Sequence, residues 1–336
     1  MSYRVHVLET GESFEVPAGE TVLSAALNAG VALAHDCQLG GCGTCRVKLI
    51  EGQVTYAEPP FALTPEEESA GYALACQAQA LSDLVIQPAR VEVPLPEPER
   101  HTALVKAVRP LSPLVTHLVL EIQSDVAEAY RPGQYLNVLM DDGSIRSFSM
   151  ASAPRNGLVD FHIRRLEGGC FTVQMLARLQ AGDTLDVELP HGSFILHPED
   201  DRPILMVATG TGLAPIKAML ESLMDNPDCP PVSLYWGTRT AADLYLHDDI
   251  PGWGERLYDF RYVPVLSRPD DSWSGRRGHV QTHVVADFDD LSDLAIYLCG
   301  SPAMIADAKS AFIARGASFD HIYVEGFTQQ VQTEPA

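Results

Sequence analysis

Four of the chain's seven cysteines fall in a spacing that few sites can use: Cys37, Cys42 and Cys45 form C-x4-C-x2-C, and Cys76 follows alone in the segment LACQA. Iron bridged by sulfide needs thiolates that converge from one tight loop, whose backbone N–H groups point at the sulfurs and stabilise negative charge. Gly40, Gly41 and Gly43 give that loop the backbone freedom it needs. Zinc also accepts four thiolates, but its sites usually present two short cysteine knuckles, and here the fourth ligand comes after a long excursion. The spacing therefore favours a [2Fe-2S] cluster over zinc. An odd number of cysteines cannot pair completely, and Cys229 reads as inert, with His6 and His35 as packing or surface residues.

Residues 1 to about 92 resemble a plant-type [2Fe-2S] ferredoxin domain throughout, including a helix before the loop and an LxC before the last ligand. The alternating stretch at residues 3–8, the break ETGES and the alternation Ser13–Val16 predict a β-hairpin. Thr21 followed by VLSAALNAG predicts an N-capped helix closed at Gly30. A strand near residue 85 then runs into PLPEPER, whose Pro and Glu content suits an exposed connector.

With 336 residues the chain is long enough for two or three domains. From His101 to Pro198, short alternating strands separated by turn residues predict a small antiparallel barrel. After Arg202 the runs PILMVAT, PVSLYWG, RYVPVLS and LAIYLCG are nearly continuous in apolar residues and alternate with helical segments, the pattern of a parallel α/β nucleotide-binding domain. The expected boundaries are 1–92, a linker at 93–100, 101–198 and 199–336, with a loose tail TQQVQTEPA. The net charge of -22 argues against nucleic acid and anionic membrane as partners. No apolar run reaches the roughly 18 residues of a membrane helix, and the start lacks the order of a signal peptide, so a cytoplasmic protein is expected.

Arg146, Ser147, Phe148 and Ser149 offer a flavin a cation for its phosphates, hydroxyl and N–H donors, and an apolar ring. Alone, such a tetrapeptide is commonplace. Downstream, the basic strand at His162, Ile163 and Arg164 leads to Gly168 and Gly169 before Cys170, Phe171 and Thr172, which could cradle a pyrophosphate. Gly210, Thr211, Gly212, Ala214 and Pro215 follow a strand and open a helix, although Pro215 stands where a dinucleotide fingerprint would have its third glycine. The order of these motifs resembles the ferredoxin-NADP reductase superfamily, in which RxYS and a later Gly-rich element hold the flavin and GTGxAP is the usual form; Phe148 stands here for the usual Tyr. The resemblance implies that Cys299, Gly300, Ser301 and Pro302 lie against the nicotinamide, and that Glu325 and Phe327 supply an acidic residue and a terminal aromatic beside the flavin. Ser149, Cys299 and Phe327 are the expected catalytic positions, with Cys299 positioning rather than attacking.

A nicotinamide delivers two electrons together and a [2Fe-2S] cluster takes one, so a flavin between them completes a two-to-one converter. The whole chain resembles reductase components of bacterial ring-hydroxylating oxygenases acting on aromatic acids such as terephthalate or benzoate. It is also similar to reductases serving di-iron monooxygenases, cytochrome P450 O-demethylases and deoxysugar dehydratases. The implied fold is a β-grasp ferredoxin domain, an antiparallel β-barrel flavin domain and a parallel α/β domain, together α+β and α/β. The implied cofactors are [2Fe-2S], FAD and NADH, and the implied partner is a terminal oxygenase. NADPH remains an alternative, because Arg239, Ser267 and Arg268 could meet a 2'-phosphate that Asp270 and Asp271 would oppose. A redox-sensing module and a zinc-stabilised nucleotide-binding protein are the readings from other classes.

Overall fold

The computed structural model describes residues 2–88, 96–123, 129–165, 171 and 175–327. Its first sheet is built from β1 (Ser2–Val7), β2 (Ser13–Pro17), β3 (Arg46–Glu51), β5 (Tyr72–Leu74) and β7 (Leu84–Pro88), with β4 (Val54–Thr55) and β6 (Gln79–Ala80) paired beside it. The order β2-β1-β7-β3-β5 has a single parallel pairing, β1 with β7, which joins the first and last strands of the unit. Helix α1 (Val22–Asn28) starts where Thr21 accepts a hydrogen bond from the Ser24 N–H, and it ends as predicted at Gly30, whose φ of +75° suits the left-handed closing turn. A short helix α2 (Pro65–Ser69), absent from the sequence reading, carries a reciprocal capping box between Thr64 and Glu67.

The second sheet runs β8 (Glu99–Ser112), β9 (Val115–Glu121), β10 (Tyr135–Leu139), β11 (Ile145–Ser149), β12 (Leu158–Arg164) and β13 (Thr184–His191). All its pairings are antiparallel, in the order β11-β10-β13-β8-β9-β12, and a bridge between Met150 and Phe161 draws the two edges together into a barrel. Inward side chains such as Leu118, Leu120, Val187 and Phe161 fill it, matching the alternation seen in the sequence. Strand β8 begins at Glu99, inside the stretch read as connector; residues 89–95 lie outside the described residues, as do the tail beyond Phe327 and the expected cradle residues Gly168, Gly169, Cys170 and Thr172.

In the third sheet, β14 (Ile204–Thr209), β15 (Val232–Thr238), β16 (Phe260–Leu266), β17 (Arg276–Arg277), β18 (Ala295–Gly300) and β19 (Ile322–Gly326) are parallel throughout, ordered β17-β16-β15-β14-β18-β19. Helices α3 (Leu213–Leu223), α4 (Val280–Asp287) and α5 (Pro302–Ile313) connect the strands. Two apolar clusters, one on each face, explain why these strands are nearly unbroken runs of buried residues. The strand order reverses at β14, so a crevice opens between the carboxyl ends of β14 and β18, where α/β sheets bind ligands.

Candidate functional site

The crevice is made by two backbones in contact. Gly210–Gly212 form a tight turn that runs straight into α3, and a Cβ built on Gly212 would lie 2.3 Å from the Cys299 carbonyl oxygen. Gly300, at φ +147°, lies against Thr209, where a Cβ would come within 2.0 Å of the hydroxyl. The same hydroxyl accepts a hydrogen bond from the Ser301 N–H, and Ser301 caps α5 through the Met304 N–H. Ala214 and Pro215 are buried in the first turn of α3, so Pro215 serves helix entry. Arg164 reaches the rim of this turn, 3.6 Å from a Cβ built on Gly210.

Strand β11 brings its residues to the same place from the barrel. The Ser149 hydroxyl donates to Glu325 at 3.1 Å, and the Cys299 thiol lies 3.8 Å from the other oxygen of that carboxyl. Desolvation, then the nearby Asp36 charge, pushes Glu325 up to about 8 against the opposing Ser149 and Cys299 hydrogen bonds. Burial holds the Cys299 thiol protonated, well above its usual range, which fits a positioning role rather than a nucleophile. Phe327 stays exposed, and its N–H donates to Gly300 at 2.9 Å. Phe148 stacks obliquely on buried Phe171 at 4.9 Å between ring centroids. Arg146 is half-buried, Ser147 faces solvent and bonds Asn137, and Ile163 belongs to the barrel core.

His162 is turned elsewhere. Its ring is buried against His117 and Tyr245, with Nδ1 3.2 Å from the Tyr245 hydroxyl, and desolvation pushes its pKa well down. The side chain therefore helps seal the seam between barrel and nucleotide domain. Arg239 and Arg268 are exposed and brought side by side by the parallel register of β15 and β16, the Arg268 N–H donating to the Arg239 carbonyl at 2.8 Å. Ser267 repeats the contact on Thr238, whereas Asp270 is engaged by Ser272.

The four cysteines meet as two pairs, Cys37 with Cys42 and Cys45 with Cys76. The Cys42 thiol, aided by the N–H groups of Leu39, Gly41 and Cys42 against desolvation, lowers Cys37 to about 6. Cys76 is lowered by Cys45 and by the Gly40 N–H, while Cys42 and Cys45 are driven up by those partners and by burial. Two thiol pairs wrapped in N–H donors fit the two ends of a two-iron cluster.

The cysteine loop is docked on β19 and on the segment that follows β13. A Cβ on Gly326 would sit 3.4 Å from the Gly41 carbonyl, and Thr44 shares a 2.8 Å hydrogen bond with Ser193. Asp36, one residue before the first ligand, accepts from the Ser193 N–H and lies at hydrogen-bond distance from Tyr135. The sequence reading missed Asp36, Tyr135 and Ser193; only the adjacency of Asp36 to Cys37 marked any of them.

A thiolate loop, a barrel edge and a nucleotide crevice assembled in this order define a flavin- and iron–sulfur-dependent electron-transfer reductase. The 2Fe-2S iron-sulfur cluster binding domain matches residues 5–81, the oxidoreductase FAD-binding domain residues 103–195 and the oxidoreductase NAD-binding domain residues 206–310. The chain is 34% identical to the Comamonas terephthalate 1,2-dioxygenase reductase component 1, over 97% of this chain and 98% of that one. It is 32% identical to the Yersinia pestis CDP-6-deoxy-L-threo-D-glycero-4-hexulose-3-dehydrase reductase over 97% and 99%. The crystal structure of the Amycolatopsis cytochrome P450 reductase GcoB superimposes with a TM-score of 0.70 at 32% identity, covering 97% and 99%. The chain belongs to this family of reductases, which carry electrons from NAD(P)H through FAD to a [2Fe-2S] cluster. No helix among the described residues is long and apolar enough to cross a membrane.

Proposed function

We propose that the chain is the NADH-dependent reductase component of a terminal oxygenase, of the Rieske type that hydroxylates aromatic rings. The observation that carries the reading is the convergence of Ser149, Glu325 and Cys299 at the mouth of the crevice, with Gly41 of the cysteine loop packed on Gly326 of the same strand as Glu325. In this reading NADH enters at Gly210–Pro215, with Cys299 and Gly300 against the nicotinamide, and leaves as NAD+ after giving up two electrons and a proton. Phe327 covers the ring face until nicotinamide replaces it. Arg146 and the Gly168–Thr172 segment hold the flavin phosphates, and Phe148 and Ser149 face its ring. A bound flavin would bridge the stoichiometry, because it can accept two electrons together and release them singly, and Cys37, Cys42, Cys45 and Cys76 would hold the acceptor iron.

Arg239 and Arg268, held side by side, could meet a 2'-phosphate, yet Asp270 and Asp271 follow on the same loop and support NADH as the donor. The relatives named for aromatic dioxygenases favour a terminal oxygenase as acceptor. The net charge of -22 supports a basic docking face on that partner, in the cytoplasm where NADH is available. The test is an anaerobic visible spectrum during NADH titration, with flavin, iron and labile-sulfide analysis of the same sample. Bound flavin, two irons and bleaching by NADH before NADPH are expected. A sample lacking either flavin or iron with labile sulfide would overturn the reading. Turnover with the oxygenase should fall as ionic strength rises; turnover that does not would remove the charge-guided contact.

A further inference from the structure

The seam between the cysteine-bearing domain and the nucleotide domain encloses charges that the redox path does not use. Glu67, on α2, is fully buried and accepts from three donors. Its Oε1 receives Arg46 at 2.7 Å, and its Oε2 receives Lys309 at 2.7 Å and the Thr64 N–H at 2.9 Å. Arg46 and Lys309 are 6% and 3% exposed, so the ion triad is out of water. Burial alone would push the Glu67 carboxyl up, but Lys309 and then Arg46 hold it below the ordinary range.

The triad belongs to both domains at once. Lys309 lies on α5, the helix that begins directly after Cys299 and Gly300, and reaches over to the Ala62 carbonyl at 2.7 Å. The Ala62 N–H in turn donates to Gly40, whose own N–H points at the Cys76 sulfur. Arg46 directly follows the ligand Cys45, donates to the Phe319 carbonyl and pairs with Asp320 at 3.4 Å. A continuous polar path therefore ties α5 to the Cys45–Cys76 pair, and Arg46, next along the chain from Cys45, ties the segment before β19 to the same pair. A groove of about 490 Å³ lined by Phe61, Leu63, Thr64, Pro65, Ala306 and Asp307 opens along the seam.

We propose that the Arg46–Glu67–Lys309 triad is an interdomain latch whose charge balance keeps the cysteine loop seated on the flavin-facing strand. It deepens the electron-transfer reading and rests on it, since a one-electron step slows exponentially with separation. Removing the triad's own anion leaves two buried cations facing each other with only the exposed Asp320, 3.4 Å from Arg46, to offset them, a state that breaking a buried ion network penalises. The two domains relieve that repulsion by parting, which returns both cations to water. Glu67, Arg46 and Lys309 are thus positioning residues: they touch neither donor nor cofactor.

Glu67→Gln tests this without disturbing α2, because Gln serves the same capping box. Small-angle scattering of the whole protein should show a larger radius of gyration. Stopped-flow reduction by NADH should show the flavin-to-cluster step slowed about tenfold or more, with cluster content and NADH–ferricyanide turnover unchanged. Lys309→Met leaves Arg46 and Glu67 balanced and should slow the step less. The double variant, which leaves one buried cation where Glu67→Gln leaves two, should be less damaging than Glu67→Gln alone and more so than Lys309→Met, a non-additivity that a merely space-filling role would not give. A Glu67→Gln protein of parental radius, with a flavin-to-cluster rate within twofold of the parent, overturns the latch, as does Lys309→Met proving the more damaging. Should Glu67→Gln lose its cluster, Lys309→Met decides alone, and a parental radius and rate there overturn the proposal. Failure of the electron-transfer reading looks different: the unaltered protein would then lack flavin or iron, while the scattering comparison would still report on the latch.

Discussion

Gly212→Ala pits two opposing effects against each other at the nucleotide crevice. Gly212 has φ -59° and ψ -13°, a conformation alanine adopts freely, and it stands at the entry of α3, so helix propensity alone predicts a gain of up to about 1 kcal/mol. The added Cβ, however, would lie 2.3 Å from the Cys299 oxygen and 2.7 Å from its carbonyl carbon, where ordinary contact starts near 3.4 Å. Roughly 1 Å of displacement is therefore required, and the obstacle is backbone in fully buried β18 rather than a side chain that can rotate away. Overpacking of this kind costs about 1–3 kcal/mol, and a rigid obstacle puts it at the upper end, so the steric term wins. A loss of about 2 kcal/mol net should lower the midpoint of thermal unfolding by roughly 4–8 °C for a domain of this size. Splaying the two loops should also raise KM for NADH more than it lowers ferricyanide reduction at saturating NADH. Differential scanning calorimetry and steady-state kinetics measure both. Gly252→Ala, where nothing lies within 4 Å of the new atom, is the matched control and should be nearly neutral. A Gly212→Ala protein as stable as the parent or more so would refute the close-approach argument.

Cys42→Ser should abolish cluster-dependent reduction of cytochrome c while sparing ferricyanide reduction by the flavin; loss of both would contradict the modular path. For Glu325, a carboxyl raised from 4.5 to about 8 keeps in the folded state a proton that the unfolded chain has released. Folding stability therefore declines as pH rises from about 4.5 through 8. Glu325→Gln removes that titration, so in flavin-stripped protein its stability relative to the parent should climb between pH 5 and 9. Denaturant titrations across that range check it, and a difference that stays flat with pH would show that the carboxyl is not held protonated.

The cysteine ligands were legible because C-x4-C-x2-C places three thiols on one loop, and the cap at Thr21 and stop at Gly30 were legible because each acts within a few residues. Unbroken apolar runs such as Ile204–Thr209 announced strands covered on both faces, and alternation such as Thr184–His191 announced the barrel. Helix α2 escaped notice: five residues carry too little periodicity, although the capping box Thr64-x-x-Glu67 was there to be read. His162 pointed to a cofactor by its basic neighbours but turned into the seam with Tyr245, a residue from another domain.

By itself the sequence determined everything that rests on contacts a few residues apart: the metal chemistry of the cysteine loop, the helix ends, the strand types and their order. Only the tertiary structure decided which of those pieces face one another. Glu67 and Lys309 are 242 residues apart, and Asp36 and Ser193 are 157 apart. Such pairings leave no local period, because they depend on how three separately built cores dock rather than on how any one segment coils or pleats.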